Sequence, residues 1–169
     1  MGIVEWLIAK IMKALWRIAC ALFPRDEPEP RDDYPAPPEG FGGGESLEVR
    51  ASLIPDGGLG LFTTRKHPAL EVLCLYTGEQ LTFWDQIRSR HPDYFADTAA
   101  GIICNRKYLN IKGRYINHHF DADRRNVAFL TYPDPTTLPG RCLLVLSLRE
   151  IEAGEELYAN YGETYWTLQ

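Results

Sequence analysis

Hydrophobic positions change their spacing along the chain, and the changes divide it. Residues 3–23 are dominated by Ala, Leu, Ile, Val, Met and Trp with no proline before Pro24, and predict a helix. At roughly 100° per residue, Lys10, Lys13 and Arg17 fall on one narrow face, with Trp6 beside them, Trp16 at its border and an apolar remaining arc. Residues 24–45 lose that pattern: six prolines from Pro24 to Pro38, then Gly40 and Gly42 to Gly44, stand among acidic residues, predicting an extended tether. From Ser46 the spacing becomes two. Leu47, Val49, Ala51 and Leu53 alternate with Glu48, Arg50 and Ser52, a half-buried strand that Pro55-Asp56-Gly57-Gly58 must turn back.

Further short elements follow. Val72 to Tyr76 is a continuous apolar strand; Thr82 caps a short helix over residues 83–90 that Pro92 stops. Residues 101–104 and 108–111 suit short strands, 127–130 reads as a strand, 133–140 as a surface loop and 142–148 as the most apolar strand. Residues 151–155 form a turn into a last strand. Many short strands, frequent turns and little helix after residue 45 predict a β-rich α+β domain over 46–169, preceded by a separate amphipathic helix at 1–23 and a linker at 24–45.

Composition narrows the chemistry. At 169 residues, with 45% hydrophobic and 24% charged residues, the chain can bury a core of its own. Its four cysteines form no close pair, and Cys74 and Cys142 stand inside apolar runs, which argues for buried thiols in a reducing intracellular setting, nucleus or cytoplasm. The net charge of −5 is unevenly distributed: residues 1–25 carry Lys10, Lys13, Arg17 and Arg25 against Glu5, whereas residues 26–46 carry seven acids against Arg31. No cationic surface for phosphates is expected on the main domain, so direct nucleic-acid binding is not expected. The N-terminal helix is interrupted by charges and too short in uncharged residues to span a bilayer, and its charges are not confined to its start as in a signal peptide. It suits a membrane interface, and it equally suits docking on the main domain or on a second copy.

Two separated polar-aromatic segments remain, Arg114-Tyr115-Ile116-Asn117-His118-His119 and Glu156-Leu157-Tyr158-Ala159-Asn160-Tyr161-Gly162. Together with Gly58-Leu59-Gly60 and Tyr76-Thr77-Gly78, in that order, they give the chain from Leu47 to Gln169 the motifs of a SET domain, the lysine methyltransferase family that uses S-adenosylmethionine, and it resembles that family. The resemblance implies small β-sheets and a C-terminal segment threaded beneath a preceding loop as a pseudoknot. It implies that Gly58, Leu59, Gly60, Arg114, Tyr115, Asn117 and His118 surround the cofactor, that Tyr161 stands at the transfer site, and that Tyr76 takes part there and lines the lysine channel. Taken singly, Asn117 also suits a turn, His118 a core position and Tyr161 simple packing.

The activity implied is transfer of a methyl group from S-adenosyl-L-methionine to a lysine of a histone or another protein; the other reading is a catalytically silent module that binds a peptide. Departures from the family's pattern bear on substrate. His119 replaces a frequent Ser, residues 120–126 lengthen the next loop, and no cysteine-rich zinc module follows Gly162. Trp166 is therefore expected beside the adenine and Tyr165 at the lysine channel, while the small Ala159 suggests room there for di- or trimethylation. His118, His119, Asp121 and Asp123 match no standard metal constellation, so no metal is expected.

Overall fold

The computed structural model describes residues 44–89, 94–106, 108–131 and 141–167. The expected helix at 1–23, nearly all of the linker, Pro92 and the loop at 133–140 lie outside the described residues. Within them the chain forms four small sheets and two short helices.

The alternation after Ser46 becomes β1 (Leu47–Ala51), which pairs antiparallel with β2 (Leu59–Thr63). The turn between them needs left-handed backbone at Asp56 (φ 59°) and Gly58 (φ 66°), as expected of an Asp-Gly-Gly run. A second sheet runs β3 (Val72–Tyr76), β9 (Leu143–Ser147), β8 (Val127–Thr131), all antiparallel. Its central strand β9 is paired on both edges, and its apolar run Leu143–Leu146 is buried on one face and half-buried on the other. The third sheet has β6 (Gly101–Cys104) between β4 (Glu79–Gln80) and β5 (Phe95–Thr98). The fourth is a parallel pair of two residues each, β7 (Asn117–His118) with β10 (Tyr158–Ala159).

Helix α1 (Phe83–Arg88) starts at Thr82, whose hydroxyl accepts from the Asp85 N–H while the Asp85 carboxylate accepts from the Thr82 N–H, a reciprocal cap. Helix α2 (Glu163–Thr167) follows Gly162, whose φ of 83° turns the chain. One expectation fails. Residues 108–111 form no strand: Leu109 and Asn110 lie in a turn and Lys112–Tyr115 wind into a 3₁₀ helix. The short apolar pair there packs inward at Ile111 while Gly113 sits against the Leu75 carbonyl, where a Cβ would come within 2.6 Å. The main core gathers Leu61, Leu73, Ile116, Val145, Ile151 and Leu157, so the 3₁₀ helix and the C-terminal segment are anchored in the same apolar mass. Cys74 and Cys142 are buried thiols, and burial pushes them up to about 12 and about 11.

Candidate active site

The parallel pairing of β7 with β10 puts Asn117 opposite Tyr158 and His118 opposite Ala159. The two polar-aromatic segments, about forty residues apart, thus meet side by side. Buried Asn126 fixes the approach. Its amide donates to the Glu156 carbonyl at 2.8 Å and accepts from the Tyr158 N–H at 2.8 Å, while its own N–H donates to the Tyr158 carbonyl at 3.0 Å. On the other side, the Leu157 N–H donates to Leu61 of β2 at 2.7 Å. Residues 156–158 therefore run between β2 and the loop that precedes β8.

Beyond this junction the chain places Tyr161 against His118. The Tyr161 N–H donates to His118 Nδ1 at 3.1 Å, which leaves the neutral ring's proton on Nε2. Nε2 is buried and has no protein partner. Burial first, then the neighbouring Arg125 and His119, hold the imidazole below its ordinary range, so the neutral form is favoured. The Tyr161 hydroxyl donates to the Ile116 carbonyl at 2.5 Å, and burial raises this phenol above its ordinary range. With its proton committed, the phenol oxygen keeps its lone pairs for another group and is no base at neutral pH.

Aromatic rings enclose this pair. Tyr165 meets Tyr161 edge-on at 4.7 Å, and Trp166 meets His118 edge-on at 5.0 Å. Phe120 contacts His118 at 4.8 Å and Trp166 at 5.1 Å, and it is 76% exposed, so part of this aromatic wall faces solvent. Phe129 of β8 lies 6.5 Å from Tyr161 and 5.7 Å from Tyr76. Tyr76 is buried one ring further in, with its hydroxyl on the Tyr94 carbonyl at 2.8 Å.

On the opposite side lies the Gly58-Leu59-Gly60 turn. The Asn117 amide donates to the Leu59 carbonyl at 3.0 Å and faces Ser52 Oγ and Glu156 Oε1, each at 3.1 Å. Gly58 is exposed with open space where a Cβ would stand, whereas a Cβ on Gly60 would overlap the Glu156 carboxylate. The two glycines thus answer different needs, left-handed backbone at one and close packing at the other.

Three expected residues sit differently. The Arg114 guanidinium donates to the Arg106 carbonyl at 2.8 Å and lies over the Tyr94 ring, and the Tyr115 hydroxyl donates to the Leu109 carbonyl at 3.2 Å. Their polar ends hold the carbonyls of Asn105, Arg106 and Leu109 and do not join the Asn117 and Tyr161 groups. Ala159 is fully buried in the main core, where its small side chain fills a place among apolar neighbours. His119, the departure from the family pattern, packs its ring 4.9 Å from Tyr158, and its Nδ1 accepts from the Asp121 N–H. Glu156, Ser52, Asn126, Phe120 and Phe129 went unassigned in the sequence reading. A Glu directly before Leu157-Tyr158-Ala159, an acid entering an apolar run, was the available signal for the first.

Comparison with known proteins agrees with the geometry. A family model described as the SET domain matches residues 58–162. No curated protein matches the sequence. Among solved structures, the chain is similar to one described as a humanized mutant of the Chaetomium thermophilum Polycomb Repressive Complex 2 bound to the inhibitor GSK126. That match has a TM-score of 0.55 and 25% identity, and covers 69% of this chain. The chain spans 15% of the length of that one. The β-rich α+β arrangement of small sheets is the SET-type fold, and the chain belongs to the SET domain family.

Proposed function

We propose that the protein is an S-adenosylmethionine-dependent protein-lysine N-methyltransferase. The observation on which this rests most heavily is the seating of Tyr161 on His118 and Ile116, whose neighbour Asn117 holds the Gly58-Leu59-Gly60 turn through the Leu59 carbonyl. The parallel pairing of β7 with β10 and the Asn126 bonds to residues 156 and 158 support the threaded arrangement implied by the family.

When bound, the cofactor supplies a methyl group activated by a positively charged sulfur. Two features of the site fit such a group: the buried, unpartnered Nε2 of His118 and the open space at Gly58. Gly58, Leu59, Gly60, Asn117 and His118 would hold it, and Trp166, already against His118, would cover its base. Arg114 and Tyr115 would contribute indirectly through the loop they brace.

The acceptor lysine must be neutral, and near pH 7 deprotonating an amine of pKa about 10.4 costs roughly 4–5 kcal/mol. The rings of Tyr161, Tyr165, Phe129 and Tyr76 form an aromatic wall, buried at Tyr76 and half-buried at the others, that would disfavour an ammonium and supply part of that cost. Tyr161, held protonated by burial and bonded to Ile116, orients the amine through its oxygen lone pairs; its contribution is positioning. Protein lysines are the substrate class, and histone tails, the target class the family resemblance implies, are the first to try.

The test is to incubate the full chain with S-adenosylmethionine and either histones or fractionated cell protein, then map lysine methylation by mass spectrometry. New methyl-lysine supports the reading. Absence of transfer together with absence of cofactor binding at millimolar concentration would make the chain a silent peptide-binding module.

A further inference from the structure

Glu156 is 3% exposed, yet among the described residues no Lys, Arg or His pairs with it. Neutral donors surround the carboxylate. Oε1 accepts from the Ser52 hydroxyl at 2.6 Å and the Asn117 amide at 3.1 Å; Oε2 accepts from the Leu53 N–H at 2.7 Å and the Tyr158 hydroxyl at 2.7 Å. These donors come from the end of β1, from β7 and from β10, and Gly60 of β2 makes room for the group by lacking a Cβ. A buried carboxylate survives only with such saturation, since each missing donor would leave charge without compensation.

In all four contacts the Glu156 carboxylate only accepts. At 3.1 Å it therefore sets which way the Asn117 amide faces: the NH₂ must point inward, where the Leu59 carbonyl at 3.0 Å also requires a donor. The amide oxygen is the atom left over. Resting on the proposed cofactor site, we infer that Glu156 is a positioning residue that locks Asn117 with its carbonyl oxygen toward the ligand, so the ligand group read there is a hydrogen-bond donor, a hydroxyl or an ammonium.

A carboxamide at position 156 breaks this logic. With its oxygen on the fixed Leu53 N–H, the Glu156→Gln side chain presents NH₂ to Asn117, which must then flip against the Leu59 carbonyl or lose the bond. Calorimetric titration of the full chain with S-adenosylhomocysteine, alongside thermal unfolding, tests this. Glu156→Gln should bind about tenfold more weakly, the equivalent of one hydrogen bond to the ligand. Asn117→Asp should also bind more weakly, because two carboxylates then face each other. The double variant Asn117→Asp/Glu156→Gln should regain most of the affinity, because an acceptor again faces the amide and an oxygen again faces outward. Tyr158→Phe removes a donor from Oε2 alone, and should lower the melting temperature while leaving affinity within about twofold.

Affinity in Glu156→Gln within twofold of the wild type, or losses that simply add in the double variant, would overturn the inference. Should Glu156→Gln fail to fold, the comparison of Asn117→Asp with the double variant decides: no recovery overturns it. Failure of the wild type to bind would remove the cofactor reading and this inference with it, whereas wild-type binding with an unaffected Glu156→Gln removes this inference alone.

Discussion

The His118 ring is held in one protonation state by what surrounds it. Its Nδ1 accepts a backbone N–H, and burial together with Arg125 and His119 opposes a second proton. The folded value is thus below the ordinary one of about 6.5, at which the unfolded chain takes up its proton. Stability from the neutral ring is complete above that value and declines as pH falls from it toward the folded value. Glu71 and Glu155 are lowered as well, and their contributions decline only in the more acidic carboxylate range. Melting temperatures between pH 7.5 and 5.5 should therefore fall more steeply in the wild type than in His118→Asn, which keeps an acceptor but no titrating ring. Equal slopes would contradict the assignment. Residue identities at the site were legible from Asn117, His118, Tyr161, Tyr165 and Trp166, which come together. Arg114, Tyr115 and Ala159 were legible as motif members but not in their surroundings, because a motif records which residue stands where and not which carbonyl or apolar neighbour it meets.

At the scale of elements, the short pair β7 and β10 depends on Asn126 more than on its own two-residue ladder. Replacing Asn126 by Ala strands the Glu156 carbonyl and the Tyr158 N–H in a buried place, and should cost about 2–4 kcal/mol measured by denaturant unfolding. A loss below about 0.5 kcal/mol would show that the segment is held by something else. Strands with a plain pattern were readable: β1 alternates because one face is covered, and β9 carries four apolar residues in a row because one face is buried and the other half-buried. By contrast β4 and β5 pair around β6 with a mixed, half-buried pattern that gives no period to read, and residues 108–111 were drawn into a turn by packing of Ile111 and Gly113. Helix α2, five residues long, has too few positions to show a helical period.

At the scale of the whole molecule, the site lies where β7 and β10, from the two halves of the domain, meet side by side. The Gly58 turn and β7 form one side; the segment from Glu156 to Trp166 forms the other, and both rest on one apolar core. The family and the fold were legible because four motifs keep their order over the chain; the meeting of the two segments was implied by the resemblance alone, since no local pattern announces that residue 158 will pair with residue 117. Among the described residues no helix is long and apolar enough to cross a membrane. The proposed role of Tyr161, orienting a lysine amine beside a bound cofactor, is tested by comparing wild type and Tyr161→Phe for methyl transfer and cofactor affinity in the same preparation. Transfer should fall on the order of 10²-fold, with cofactor affinity within a few-fold and the fold retained. Transfer at the wild-type rate in Tyr161→Phe would contradict it.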